Sequence, residues 1–287
     1  MLAACTAPGP PTRAQFPFED LHGQVFSPPQ VLADAARGSS GEAPNAIVLA
    51  IDSRSSFRAV AGAVQRLRER NVAVGYWVDV LGGADAGQDF ESILARARAA
   101  LNDRPPADAV FLAGFDGPAL SCGCARSTCG VADLVRDPRD AGRLLSALRA
   151  HVGGATIVPV VSAGGSALEG RCDLEECSKA QCAERERLAW SELRREAPRV
   201  ALMFRPDERE RARLAASISA RILHQSQLGA TPPPAGPGTA LVLAVFDASE
   251  WTAADLRQAL AGVRQASRGG SLVSHSPPAA DRGSDER

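Results

Sequence analysis

Lysine is all but missing from this chain: lysines and arginines together number 32, and Lys179 is the single lysine among them. Schiff-base chemistry needs a lysine amine at a strand end, where a carbonyl substrate can reach it. Lys179 lies instead between Cys177 and Cys182, so aldol and pyridoxal mechanisms lack their nucleophile. The basic residues are balanced by 33 acidic ones for a net charge of -1, and no basic run is interleaved with aromatics. Counterion release therefore has no footprint to act through, and nucleic acid is not an expected partner. No apolar run reaches the roughly 18 residues that a membrane-spanning helix requires. Histidine is thin as well, with 4 in all. His151 and His224 fall near the ends of predicted helices, where the helix dipole accounts for them, while His22 and His275 lie in segments read as irregular ends. HExxH, CxxCH, P-loop and Gly-x-Ser-x-Gly patterns are all missing, which removes the common signatures of zinc hydrolases, haem attachment, nucleotide binding and serine hydrolysis.

What is present is a repeated unit. With 287 residues and 45% hydrophobic content the chain can bury a full core. Residues 1–44 are rich in Pro, Gly, Ala and Ser and are expected to form a tether and an irregular N-terminal cover. Residues 46–52 then form an unbroken apolar run closed by a carboxylate, the pattern of a strand buried on both faces. Phe57, Val60, Val64 and Leu67 recur at intervals of three and four, which predicts an amphipathic helix with these residues on its apolar face. The unit repeats, with strands predicted over 72–80, 109–116, 156–161, 200–205, 240–247 and 271–274, helices between them, and Thr252 capping the last helix. One more strand is expected within 24–33, and the polar tail 276–287 is expected to be disordered. Strict alternation of apolar strands with helices implies a parallel sheet joined by right-handed crossovers. The expected fold class is α/β, a parallel (β/α) barrel of TIM type over residues 45–275, incomplete on the strands visible in the sequence. The alternative is an open doubly wound sheet. Its dinucleotide-binding form needs a Gly-rich turn after the first strand, and here that turn reads Asp52-Ser53-Arg54-Ser55-Ser56.

In parallel α/β folds the site forms where the strands end. Those ends carry Asp52, Asp79, Asp116, Arg205 and Asp247. A single aspartate at such a place is ordinarily a turn former or helix cap, but four at equivalent positions supply what glycoside cleavage needs, one protonated carboxyl and one ionised carboxylate. Period two places Trp77 beside Asp79 on one face of its strand, and the sixth of the strands from residue 46 runs on through Asp247, Glu250 and Trp251. An indole ring face suits the C–H face of a sugar; Trp251 can equally staple the start of the helix behind it. Arg205 can hold a carboxylate ionised or bind an anionic group. From strand-end carboxylates and Trp77 the stretch 45–275 resembles, in architecture, exported TIM-barrel glycoside hydrolases. The resemblance implies a carbohydrate or other small polar ligand, hydrolysis by two of Asp52, Asp79, Asp116 and Asp247, and contacts from Trp77, Arg205, Glu250 and Trp251, with no cofactor.

Of 7 cysteines, six form two triplets, Cys122-x-Cys124-x4-Cys129 in loop 117–136 and Cys172-x4-Cys177-x4-Cys182 in loop 162–183. Each triplet follows a predicted strand, so parallel neighbouring strands bring all six to one edge of the sheet. In an exported protein they are expected to pair as disulfides, with connectivity left open by the sequence. In a cytoplasmic protein they would remain thiols able to hold a soft metal as thiolate ligands, although neither spacing is that of a zinc knuckle or ferredoxin. The seventh is Cys5, and Leu2-Ala3-Ala4-Cys5 with its Pro-rich sequel resembles a bacterial lipobox. The resemblance implies a diacylated Cys5, a membrane connection through lipid alone, and a place in the cell envelope, periplasmic or on the outer surface, with a start upstream of Met1. Two other readings stay open: a cysteine-rich metal-binding or redox protein, and a non-catalytic binding lipoprotein.

Overall fold

The computed structural model describes residues 16–33, 43–80, 90–115, 138–162, 195–197, 199–204, 211–227, 241–266 and 270–275. Within them lie eight strands: β1 (His22–Phe26), β2 (Ala46–Ile51), β3 (Ala73–Asp79), β4 (Ala109–Phe115), β5 (Thr156–Ser162), β6 (Arg199–Phe204), β7 (Leu241–Asp247) and β8 (Ser271–Ser274). All pairings are parallel and sequential, and β8 pairs with β1, so the sheet closes into a barrel in chain order. The described helices are α1 (Pro28–Leu32), α2 (Phe57–Glu69), α3 (Phe90–Leu101), α4 (Pro138–Arg149), α5 (Arg211–Gln227) and α6 (Ala253–Ala266).

Closure answers the choice between barrel and open sheet, and it needs the strand the sequence shows least clearly. β1 lies inside the segment expected to be an irregular cover, so the ordered barrel begins before residue 45. Its five residues include Gly23, Gln24 and the titratable His22 at the start, too few apolar positions to read as a buried run. Gly23 is there because the chain approaches closely: a Cβ would stand 2.5 Å from Leu272 Cδ2 on β8.

Alternate residues of each strand divide the core in two. Ile47, Leu49, Val74, Tyr76, Leu112, Leu202, Phe204 and Phe246 face outward and pack under Val60, Val64 and Leu67 of α2, Ile93 of α3, Leu144 and Leu148 of α4, and Ile218 of α5. Val48, Ala73, Ala109, Phe111, Val158, Ala201, Leu243, Val245 and Leu272 fill the barrel. Many interior positions are small, and the space they leave is taken by Phe16 and Phe18 from the chain before β1. Phe16 lies 4.7 Å from the Phe18 ring and 5.8 Å from that of Phe111, and Gly75 makes room for both Phe16 and Phe111, each of which would come within 3.4 Å of a Cβ placed there. The Arg199 guanidinium covers Phe18 at 4.4 Å. The N-terminal end of the barrel is thus plugged with rings, which leaves the C-terminal end as the face for function.

Two local expectations fare differently. Thr252 caps α6: its Oγ1 accepts from the Asp255 N–H at 3.2 Å and donates to Asp255 Oδ2 at 2.7 Å. Phe57, by contrast, does not join the buried stripe of Val60, Val64 and Leu67 and is 56% exposed, because it is the first residue of α2 and stands clear of the sheet.

Candidate active site at the C-terminal mouth

Asp52 follows β2 and is held in a turn of its own making. Its Oδ1 accepts from the Arg54 N–H at 3.0 Å and the Ser55 hydroxyl at 2.8 Å, and its carbonyl accepts from Arg104 at 3.2 Å. The residue is exposed and serves the loop, as Asp does where a strand turns into a helix. Its carboxylate is taken up by that turn, away from the interior cluster.

β3 delivers Trp77 and Asp79 to the inner face. Trp77 packs against the interior cluster and stacks on Phe111 at 6.4 Å with 16° between the ring planes; Asp79, two residues on, shares its face. Both are half-buried. Across the barrel, β7 brings Leu243 and Val245 inward and ends on Asp247, which is 2% exposed. The Asp247 Oδ1 accepts from the N–H of Ser249 at 3.0 Å and from its hydroxyl at 2.7 Å. β3 and β7 are four strands apart in a ring of eight and so face each other. In barrels of this type residues at one height advance by one position per strand. Stepping round from Asp247 through the pairings of β8, β1 and β2 on that rule arrives at Asp79. The two carboxylates therefore occupy one layer of the mouth, directly above the layer that holds Trp77 and Val245.

Trp251 takes the second of its two expected places, as a staple. Its ring is buried edge-on against Phe246 at 5.4 Å and its indole N–H donates to the Phe204 carbonyl at 3.3 Å, so it staples β6 and β7 to the start of α6 and presents no face to a ligand. Glu250 lies in the turn between, with its N–H donating to the Asp247 carbonyl at 3.0 Å. Asp116, Arg205, Cys5, Cys122, Cys124, Cys129, Cys172, Cys177 and Cys182 lie outside the described residues. Among the described residues no group of three His, Cys, Asp or Glu side chains could hold a metal, and no helix is long and apolar enough to cross a membrane.

His275, expected in an irregular end, stands on the outer side of the closing strand. It follows β8 directly, its N–H donates to the Val25 carbonyl at 3.2 Å, and its ring stacks on Phe26 at 5.2 Å with 11° between planes. Burial lowers its pKa from the ordinary 6.5, and the Asp247 carboxylate opposes that shift. The available signal was its position, one residue past a short apolar strand.

No family profile matches the sequence, and a search of curated proteins finds no match. Among solved structures the chain is similar to a provisionally assigned α-L-fucosidase of Bacteroides thetaiotaomicron, with 9% identity over 94% of this chain and 90% of that one and a TM-score of 0.50. It is also similar to a 3-dehydroquinate dehydratase of Enterococcus faecalis (12% identity, 90% and 88% covered, TM-score 0.43) and to a family 1 β-glucosidase of Thermotoga maritima solved with isofagomine lactam (10% identity, 80% and 73% covered, TM-score 0.44). At 9% identity the likeness to the first of these shows the fold alone, and with the sheet closed in chain order the chain is a TIM (β/α)8 barrel.

Proposed function

We propose that the mouth of this barrel binds and hydrolyses a carbohydrate. The observation that carries the proposal is the layer shared by Asp79 and Asp247, on opposed strands, with the Trp77 ring just below it. Opposed carboxyls with a water between them suit single-displacement glycoside cleavage, one protonating the leaving oxygen and the other serving the water. Asp79, on the strand face that carries Trp77, is assigned the acid. Asp247, whose Oδ1 is held by the N–H and hydroxyl of Ser249, is assigned the opposite side. Trp77 offers an apolar ring to the sugar's C–H face. Asp116 and Arg205, which lie outside the described residues, stay in the proposal as an additional carboxylate and an anion-holding group.

A glycan screen followed by variants tests this. Asp79→Asn is expected to lower kcat by about 10²- to 10⁴-fold, the range for loss of an acid/base group, and Trp77→Ala to raise KM. A substrate hydrolysed equally well by Asp79→Asn would overturn the assignment, and saccharide binding without turnover in the native protein would favour a binding protein. The envelope location through a lipidated Cys5, and pairing of the six loop cysteines as disulfides, belong to the same proposal. Intact mass of the protein made in its own cell, before and after reduction and alkylation, is expected to show an acylated N-terminal cysteine and six newly alkylated thiols. Six thiols free beforehand, or stoichiometric soft metal, would transfer the weight to the thiolate-metal reading.

A further inference from the structure

We propose that the floor of this mouth selects a terminal sugar ring with no exocyclic hydroxymethyl oxygen, a pentopyranose or a 6-deoxyhexose, and that Ser274 reads the ring hydroxyl that reaches it. The inference rests on the carbohydrate-hydrolase assignment and adds the class of ring. Leu272 and Ser274 are two residues apart on β8, so Ser274 shares the inner face that Leu272 occupies. Stepping round from Ser274 through the pairings of β1 to β4, with one residue gained per strand, arrives at Ala50 on β2 and Ala113 on β4. Continuing through β5 reaches Met203 on β6, and the next two strands return the count to Ser274. Ala50, Ala113, Met203 and Ser274 are thus one layer, contributed by alternate strands and set between the heights of Asp79 and Trp77.

Open space ends at that layer. Ala113, Met203 and Ser274 are each 7% exposed and Ala50 is half-buried, whereas Val48, Phe111, Ala201 and Leu272, the next layer down from the same strands, are all at 0%. Three of the four floor residues are apolar and two of those are alanines, so the floor is wide and offers a hydrogen bond at one corner only, where Ser274 pairs with Asp247 in the sheet. A serine hydroxyl donates once and accepts twice, so a bond within the protein leaves it capacity for a ligand. A sugar ring lowered on edge past the two carboxylates, its C–H face on the half-buried Trp77, presents two neighbouring substituents to this floor. One is a hydroxyl, met by Ser274. The other meets Ala50, Ala113 and Met203, where a methyl group or a bare ring CH2 loses nothing and a hydroxymethyl oxygen gives up water for no partner. An apolar pocket rejects an added hydroxyl by up to about 100-fold, which sets the scale of the preference.

The test gives the whole native protein pairs of aryl glycosides that differ only in the hydroxymethyl group, D-fucosides against D-galactosides and D-xylosides against D-glucosides, in both anomers. In each pair that turns over, the first member is expected to have the higher kcat/KM, by about 10- to 100-fold. Ser274→Ala is expected to lose about tenfold on the preferred ring, and Ala113→Ser, which adds a hydroxyl to the apolar side of the floor, to narrow the preference. Equal turnover of both members of a pair would overturn the floor's selectivity and leave the hydrolase assignment standing, whereas a native protein that neither binds nor hydrolyses any saccharide would overturn both. Turnover by Ser274→Ala equal to that of the native protein, on a substrate that Asp79→Asn no longer cleaves, would remove Ser274 from the floor and keep the mouth. Should Ser274→Ala fold poorly, Ala113→Ser carries the test, and a preference that it leaves unchanged would overturn the proposal.

Discussion

Asp52 and Asp247 end neighbouring kinds of turn with the same chemistry, each Oδ1 accepting from a main-chain N–H and a serine hydroxyl a few residues on. Burial separates them: Asp52 is exposed, and Asp247 is 2% exposed and close enough to His275 to act on its charge. A prediction at this scale concerns stability and pH. The folded pKa of His275 lies below the unfolded value near 6.5, so in the window between them the unfolded chain binds more protons than the native one. Native stability from this group is complete above pH 6.5 and is lost as pH falls through the lowered value. Thermal melts of the native protein between pH 7 and 5 should therefore include a fall that His275→Gln reduces; equal slopes would remove His275 from the titrating groups. Tyr76 shows the opposite case. Burial pushes its phenol pKa up, and its hydroxyl donates to the Pro105 carbonyl at 2.6 Å, a structural bond on the outer side of the barrel.

At the scale of elements, the seam between β8 and β1 is the part of the barrel made from the least sequence. β8 has four residues and β1 five, and the seam is set from below by the Ser271 N–H donating to the Leu21 carbonyl at 2.6 Å. Gly270 makes that approach possible, since a Cβ there would overlap the Leu21 main chain. Overlap with backbone cannot be relieved by a rotamer change. Gly270→Ala is thus expected to cost about 1–3 kcal/mol or more in urea unfolding, and hydrogen exchange should find the amides of β1 and β8 exposed ahead of those of β3 and β4. Protection falling evenly round the barrel would show that the seam is not its weak point.

For the whole molecule the decisive feature is the ring plug. A parallel barrel with Gly75, Ala73, Ala109 and Ala201 on its inner wall does not fill itself, and Phe16 and Phe18 supply the missing volume from outside the sheet. Phe16→Ala is expected to destabilise by about 3–5 kcal/mol, as for aromatic-to-alanine changes in a close-packed core. Because the plug sits at the end opposite Asp79 and Asp247, saccharide affinity of the folded fraction should be unchanged. A variant that melts like the native protein would mean that the inner residues close the space unaided.

The apolar strands and the amphipathic stripes between them were legible because a strand buried on both faces must be apolar throughout and a helix on a sheet must be apolar on one side. That is enough to specify a parallel α/β fold and to point at the strand ends. Ala46 to Ile51 and Ala73 to Asp79 show it plainly. The tertiary structure decided what local pattern does not encode. Closure depended on β1, whose Gly23 and Gln24 fit no apolar run, and on where Phe16 and Phe18 go, which requires the whole inner wall. It likewise separated Asp52 from Asp79 and Asp247, since exposure, turn bonding and height in the barrel are properties of the assembled sheet. Trp77 and Trp251 both precede or follow a carboxylate in sequence; only packing made one a wall of the mouth and the other a staple. His275 met the Phe26 ring because the last strand closed against the first.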